Sequence, residues 1–526
     1  MSFYEESSIV ITPNAYKAGT LYAVVPTSGA ADMDVTRATA ATRVDESGLV
    51  NYAEAIGSEL VTNGDFATNI DYWVQYNSIS TWDNGTIKTT ATSTVAWIRQ
   101  NDILSTSNSY KVTFTAKATD ISENIFIWNG SSFINTNLSF DTINEYKDFT
   151  YYLDFSGSGG QHLIIGQENV TVGDSINFDN VSVKEVIRDN VPRIDYTGGG
   201  CPHILAEPQR TNLVQYSEAF NSWNTKENVT VAEDTSETTS PSGNNTASKI
   251  TINSGSTPRR LFEVISTGSG SDYTFTLYAK KGTTDYIRIL CTSVLFDVNF
   301  DLTNGTKTVT TGIGSIESVG NDWYRIQGTG TSSLTNEVPQ IQLSGSASVS
   351  DYLYIWGSQF EQGSYPTSYI PTSGATVTRN QDEFTRDGIS SLINSTEGVL
   401  FVEMAFSDAG RLAILNSDAS DDQVVLGFSG TVFCRIRENG ANVVTQFVSS
   451  ANQLNTYYKI AVKYKSGSSA IWVDGNETVV AGTFTLNDLS KILFISEGSR
   501  TYGKVKQLQV YPSALSDAEL TSLTTP

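Results

Sequence analysis

Four phrases of this chain occur twice, in the same order. "ELVTNGDFATNIDYWV" from Glu59 returns as "TNLVQYSEAFNSWN" from Thr211, each running Leu-Val, then Phe, then Trp. "SYKVTFTAKATD" from Ser109 returns as "DYTFTLYAKKGT" from Asp272. "NEYKDFTYYLDFSGSG" from Asn144 returns as "NDWYRIQGTGTSS" from Asn321, and "INFDNVSVKEV" from Ile176 as "LYIWGSQFEQG" from Leu353. Ordered matches of this kind point to two copies of one domain, near 58–188 and 211–363. Within the copies, apolar residues alternate with polar ones: Tyr110, Val112, Phe114 and Ala116 face one way, Lys111 and Thr113 the other. Asn84-Gly85, Asn129-Gly130 and Asn304-Gly305 are hairpin-turn dipeptides between such runs. Trp73, Trp223, Trp323 and Trp356 sit at matched positions and read as core anchors. Short alternating strands between turn signals predict β-sandwiches.

Composition agrees. Charged residues make up 17% of the chain and aromatics 11%, a balance that favours strands and rules out a disordered chain. After the second copy, 394–526 supplies further strands ("GVLFVEMAF", "QVVLGFS", "TYYKIAVKYKSG", "SAIWVDGNETVV", "GKVKQLQVYPSAL") with Asp474-Gly475 as a turn. Ser516 followed by Glu519 is a capping box, so a short C-terminal helix is predicted from "LSDAELTSL". The fold class is therefore all-β: tandem jelly-roll sandwiches, an N-terminal segment and a short terminal helix.

A second repeat punctuates these domains. "PTSGAADMDVTR" begins at Pro26 and "PTSGATVTR" at Pro371. Each is a Pro-fixed turn followed by an arginine, Arg37 or Arg379. Both arginines are expected to pair with an acidic surface of a neighbouring subunit and so to serve assembly.

The net charge of −23 repels polyanions, and no Lys/Arg-rich patch offsets it, so nucleic acid is not an expected partner. The first residues, "MSFYEESSIVITPNAY", hold no basic stretch or long apolar run, so neither a signal peptide nor membrane insertion is expected. Three widely spaced cysteines argue against a disulfide framework or zinc site. Of the two histidines, His162 abuts a strand and His203 follows a turn beside Cys201. A Cys201–His203 nucleophile–base pair is weighed against a structural turn, and the turn is favoured. No nucleophile elbow, phosphate loop or zinc-protease motif is present, and no catalytic residue is assigned. Acidic clusters, "DASDDQ" from Asp418 and "NQDEF" from Asn380, have the oxygen ligands that Ca²⁺ takes and suit solvated loops equally well. No cofactor is expected.

Sugar binding by sandwiches uses exposed aromatics beside polar donors. In "TVAWIRQ", Val95, Trp97 and Arg99 share one strand face, pairing an indole with a guanidinium. Trp82 and Trp128, near hairpin tips, are the other carbohydrate-binding candidates. Burial in a core is the competing reading for every tryptophan. The second copy has "PRRLFEV" in the place of "AWIRQN", with Arg259 and Arg260 but no tryptophan.

Taken together, "SIVITPNAYKAGTLYAVVPTSG", "DVTRATAATRVDESGLV", "VPRIDYTGGGCPHILAEPQRTNLVQYSEAF", "SIESVGNDWYRIQGTG" and "SQFEQGSYPTSYIPTSGATVTR" resemble a recurring architecture in fibre and receptor-binding proteins of tailed bacteriophages. The repeated domain resembles carbohydrate-binding-module jelly rolls. The C-terminal domain, with "GKVKQLQVYPSALSDAELTSL", is similar to laminin-G/concanavalin-like sandwiches. The resemblance implies a virion-surface head or tail fibre, made in a host cytoplasm. Residues 1–57 would attach to other virion proteins, the chain would be a homotrimer, and it would bind host cell-surface glycan. In shorter proteins of this class the "ATRV…GL" phrase leads directly into "VPR.DY…EPQRTNL". Here 58–188 stands between them as an inserted or duplicated domain, so 1–57 and the connector 189–210 should pack together, with 364–393 as a second connector. A purely structural virion component and a glycan-degrading tailspike enzyme are the alternatives. The absence of short β-helix repeats argues against the enzyme.

Overall fold

The computed structural model describes residues 3–526 except 121–123, 141, 292–294, 344–346, 418–420, 481 and 495–501, and all counts below refer to the described residues. Nearly all regular structure is antiparallel β-sheet. The chain divides into two compact units, residues 54–187 and residues 1–53 with 188–526.

Residues 54–187 form one sandwich. Its first sheet runs Lys147–Phe155, Asn108–Ala118, Ser175–Ile187, Ile87–Ala91, Ser78–Trp82, with Ala55–Glu59 also paired to Ser175–Ile187. The second runs Phe133–Ser139, Asn124–Trp128, Leu163–Glu168, Val95–Gln100, Val74–Tyr76. Alternation along Asn108–Ala118 places Tyr110, Val112, Phe114 and Ala116 in the core with Ile98, Ile125, Ile127, Phe178 and Val183. The Asn84-Gly85 turn has φ of 48° and 85°, the left-handed pair a two-residue hairpin requires.

In the larger unit, the second copy repeats this plan strand for strand. One of its sheets contains Trp323–Thr331, Asp272–Lys281, Tyr352–Gln362, Ser248–Ile252 and Val229–Ala232. The other contains Asp297–Asp301, Tyr286–Cys291, Pro339–Leu343, Arg260–Phe262 and Thr225–Glu227. Two additional strands lengthen the sheets by one each: Thr306–Thr311 beside Asp297–Asp301, and Ile313–Ser318 beside Trp323–Thr331. The copies share details that a chance likeness would not. A register shift interrupts both long central pairings, at Thr113/Thr115 and at Thr276/Tyr278. The hydroxyls of Tyr110 and Tyr273 each accept from a backbone amide five residues back, at 2.6 Å. Phe66–Trp73 and Phe220–Trp223 pack with the same 5.4 Å centroid separation. Trp223, Trp323 and Trp356 are buried and Trp73 is partly buried.

The C-terminal sandwich is completed from elsewhere in the chain. Ile9–Ile11 pairs with Gly503–Tyr511, and His203–Ala206 joins the same sheet. Met33–Thr36 pairs with Glu383–Arg386 in the opposing sheet. Ile9, Ile11, Leu21, Met33 and Val35 lie in one core with Leu400, Val402, Leu426 and Leu508. The N-terminal segment is thus strand material of the C-terminal sandwich. It also meets the connector after residue 188. Gly19 N donates to Asn190 O, and the amides of Arg37 and Ala38 both donate to Asn190 Oδ1, each at 2.8 Å. The predicted helix spans Asp517–Thr524, with Ser516 and Glu519 forming both bonds of the capping box. Leu520 and Leu523 pack on Trp472 and Tyr511. A helical turn at Phe3–Glu6 was not predicted.

The recurrent Val-Thr-Arg phrase corrects one expectation. Arg37 and Arg379 face inward and present no charge to a neighbouring subunit, so they are not assembly contacts of the kind predicted. Arg37 pairs with Asp382 at 2.9 Å, and Arg193 bridges Asp382 and Glu207. Arg379 pairs with Glu207 at 2.6 Å. The physical reason is position: Arg37 follows the strand Met33–Thr36, and Arg379 closes the strand Val377–Arg379 paired to Arg210–Asn212. Both strand ends point into the junction of the two connectors. Burial alone would raise the Glu207 and Asp382 carboxyls, but the arginines hold both below the usual carboxylate range.

Other candidates fall into place similarly. His203 is buried with Nε2 3.1 Å from Asp195 Oδ1, while Cys201 is exposed. His203 therefore serves a buried polar pair. Asp195 also accepts from the Val44 and Thr197 amides. Burial pushes this carboxyl up, but His203 and those amides outweigh it and hold it at about 2. Residues 418–420 of the "DASDDQ" cluster lie outside the described residues. Asp422 is buried and accepts from the Asn439 and Asn487 amides. In "NQDEF", Asp382 belongs to the arginine network. Among the described residues no group of three or more His, Cys, Asp or Glu is placed to hold a metal ion. No helix among them is long and apolar enough to cross a membrane.

Candidate functional site

The most distinctive surface of the 54–187 unit is the outer face of its second sheet. Along Val95–Gln100, Ala96, Ile98 and Gln100 are buried, and Val95, Trp97 and Arg99 occupy the opposite face. Trp97 lies opposite Tyr76 on the neighbouring strand. Their rings are stacked, with centroids 4.6 Å apart and planes 13° from parallel. The Arg99 guanidinium carbon stands 5.6 Å from the centre of the Trp97 ring, within cation–π range. Tyr76 remains 50% exposed.

On its other side Trp97 lies opposite Gly166, which in turn lies opposite Phe126. A Cβ on Gly166 would come within 2.4 Å of Trp97 Cβ and 2.8 Å of Phe126 Cζ. Glycine is required here because the two aromatic side chains close over it. Phe126 packs on Phe133 with centroids 4.5 Å apart, and Phe133 on Trp128 at 5.0 Å. The result is a row of five aromatic side chains across the sheet: Tyr76, Trp97, Phe126, Phe133 and Trp128. Within the row Phe126 is buried, and Phe133 is 42% exposed.

Three of the four predicted residues therefore belong together. Trp97 and Arg99 form the centre of the face, and Trp128 stands at its far end. Trp82 lies on the other sheet and donates its indole N–H to Phe66 O at 2.7 Å. It is exposed but apart from the row. Tyr76, Phe126, Phe133 and Gly166 were not singled out from sequence. Their membership depends on which strands lie side by side, and strand order is set by pairing between residues as far apart as Val95 and Glu168.

The second copy supplies an internal comparison, since the same strand pairings identify equivalent positions. Tyr76 is replaced by Glu227, Trp97 by Arg260, Gly166 by Gln342 and Phe126 by Arg288. Aromatic contacts give way to ion pairs: Arg260–Glu227 at 2.9 Å and Arg288–Asp297 at 2.7 Å. Arg260 also donates to Gln340 Oε1 at 2.8 Å. One copy thus presents stacked rings, the other a self-satisfied polar lattice on the same backbone.

No protein-family model matches the chain, and no curated protein matches it. Among solved structures it is similar to the CBM40 module of Ruminococcus gnavus IT-sialidase, bound there to α2,3-sialyllactose. Identity is 14% and the TM-score 0.23, over 26% of this chain and 86% of that one. It is similar also to the CBM22 tandem of Paenibacillus barcinonensis Xyn10C, at 11% identity and TM-score 0.23, over 58% and 98% of the two chains. Domains LG4-5 of the mouse laminin α1 chain match at 12% identity and TM-score 0.19, over 48% and 88%. These neighbours are carbohydrate-binding modules and laminin G domains; at such scores, what this chain binds must be read from its own surfaces.

Proposed function

We propose that this chain is a non-enzymatic attachment protein, a head or tail fibre on the surface of a tailed-bacteriophage virion, whose first sandwich holds host cell-surface glycan. One observation carries the binding part: the stacked Tyr76–Trp97 pair with Arg99 beside it, on an open sheet face. A pyranose ring has an apolar C–H face that packs on an aromatic surface, and hydroxyls that accept from a guanidinium. An aromatic row beside a fixed cation offers both. The virion placement is supported by the resemblance of the phrases around the arginine network to phage fibre proteins. A homotrimer, attached through its N-terminal region, would set three such faces side by side, and avidity of roughly 10²–10⁴ over one site then makes weak single contacts sufficient.

A purely structural role is the second reading, and the second sandwich favours it for that domain. Its equivalent face has its charges paired internally. On this reading the second copy is a spacer and the first alone carries the ligand.

The test is a glycan array with the full chain, alongside Trp97→Ala and Tyr76→Ala. Binding by the parent and a loss of ~10-fold or more in each variant is expected. A parent that binds no glycan, or variants that bind as well as the parent, would overturn the glycan reading. Release of sugar from host surface material would instead establish an enzyme.

A further inference from the structure

The constellation at the centre of the first sandwich's face recurs in the C-terminal sandwich, position for position. There the edge strand Ala441–Val448 pairs with Val432–Glu438, which pairs in turn with Gln423–Phe428. Val432, Cys434 and Ile436 enter the core, so Phe433 and Arg435 lie on the face turned away from it. Phe433 lies opposite Phe447 on the edge strand and Gly427 on the inner one; Arg435 lies opposite Thr445 and Val425. In the first sandwich Trp97 lies opposite Tyr76 and Gly166, and Arg99 opposite Val74 and Ile164. Both lattices thus hold, in one register, an aromatic on the edge strand, a second aromatic followed by arginine, and a glycine preceded by an aliphatic.

The packing repeats with the pattern. The Arg435 guanidinium carbon stands 5.2 Å from the centre of the Phe433 ring, against 5.6 Å for Arg99 and Trp97. The Phe433 and Phe447 centroids are 5.6 Å apart, with planes tilted by 45° rather than stacked. A Cβ on Gly427 would come within 2.7 Å of Phe433 Cζ, so glycine makes room for this ring as Gly166 does for Trp97. Phe433 is buried and Phe447 is 47% exposed, close to Tyr76 in its place. Among the described residues neither Arg99 nor Arg435 has an ion-pair or hydrogen-bond partner. On the second sandwich, by contrast, Arg260 and Arg288 are locked to Glu227 and Asp297.

Charge narrows the ligand. The outward residues of these three strands include Arg435 and Arg437 and no Asp or Glu. The first face differs, since Glu168 lies in its outward row opposite Val95. Arg437 is engaged by Gln423 Oε1 at 3.2 Å and by Gly440 O, which leaves Arg435 as the cation open to a ligand. A guanidinium fork takes a carboxylate through two parallel bonds and gains charge as well as geometry from it. A neutral sugar would leave that fork without its counter-charge, and a bare phosphate or sulfate would leave the Phe447 ring uncovered. A pyranose bearing a carboxylate meets both, its C–H face on Phe447 and its carboxylate on Arg435. We infer that this face is a second glycan site, one that takes a carboxylated pyranose of the uronic acid kind. It rests on the same physical reasoning as the first face but shares no residue with it.

The experiment uses the full chain carrying Tyr76→Ala and Trp97→Ala, which removes the first face from every arm. The methyl glycosides of glucuronic acid and of glucose, alike except for the carboxylate, serve as probes in saturation-transfer difference NMR titrations. Into this background go Phe447→Ala and Arg435→Gln, one at a time. Phe447 is exposed and Arg435 has no hydrogen bond or ion pair to lose, so both variants should fold; an unchanged thermal transition checks this, and if one fails the check the other decides. The expected result is saturable binding of the glucuronide, ~10-fold or more tighter than the glucoside and weakened ~10-fold or more by each folded variant. No saturable glucuronide signal, equal binding of the two probes, or binding that a folded variant leaves unchanged would each overturn the site. Because no arm contains the Tyr76–Trp97 pair, failure here leaves the first-sandwich reading standing, and glucuronide binding that persists here lends that reading no support.

Discussion

Asp382→Asn should destabilise the larger unit by about 3–5 kcal/mol, the usual cost of removing one partner from a buried ion-pair network. Asp382 is fully buried, and its oxygens face Arg37 at 2.9 Å and Arg193, with the Glu207 amide donating at 2.9 Å. Asparagine keeps the shape and one acceptor but removes the charge. Arg193 and Arg379 would then share a single carboxylate, Glu207, and Arg37 would lose the carboxylate it pairs with. An exposed pair gives the contrast. Lys465 and Glu397 are 50% and 29% exposed at 2.6 Å, so Lys465→Gln should change stability by no more than about 1 kcal/mol. Scanning calorimetry would give the two losses, and peptide-resolved hydrogen exchange would locate them. Faster exchange is expected around residues 37, 193, 207 and 379, and none in 54–187, which contributes no residue to the network. If Asp382→Asn loses no more stability than Lys465→Gln, the network is not what holds these segments together.

Acid should act on the same junction. Asp195, Glu207 and Asp382 all have depressed folded-state values, so their contribution is present above the unfolded carboxylate range near ~4. It is lost as pH falls from there through their folded values, about 2 for Asp195. Thermal unfolding of the larger unit should therefore be insensitive to these groups above pH ~5 and fall steeply below ~4. A transition temperature that stays level below ~4 would contradict this. Gly166→Ala should cost ~1–3 kcal/mol by overpacking, because its Cβ would stand 2.4 Å from both Trp97 Cβ and Ala96 O. The aromatic signal in near-ultraviolet circular dichroism should change with it, and an unaltered spectrum with unaltered stability would show that the rings do not close over this residue.

Much of this molecule was legible in the order of its residues. Strand alternation, as in Tyr110, Val112, Phe114 and Ala116, is a local property of the pleat, and it correctly divided core from surface. The duplication was readable because two copies of one domain must place equivalent residues in equivalent order. The capping box at Ser516 and Glu519 was readable because its partners lie three residues apart. Trp97 and Arg99 could be paired for the same reason, as alternate residues of one strand.

Pairing across distance was decided only by the tertiary structure. Tyr76 stacks on Trp97, and Gly166 makes room for Phe126, because strands far apart in the chain lie side by side; nothing local encodes that adjacency. The arginines of the recurrent phrase show the same limit. A short Val-Thr-Arg run after a turn predicts a strand end, but whether the guanidinium meets water or a buried carboxylate depends on partners such as Asp382, 345 residues from Arg37. Sequence therefore determined the elements and their repetition, which arise from short-range periodicity. Tertiary structure determined which charges are sealed inside and which rings form a face, because burial and stacking depend on long-range packing.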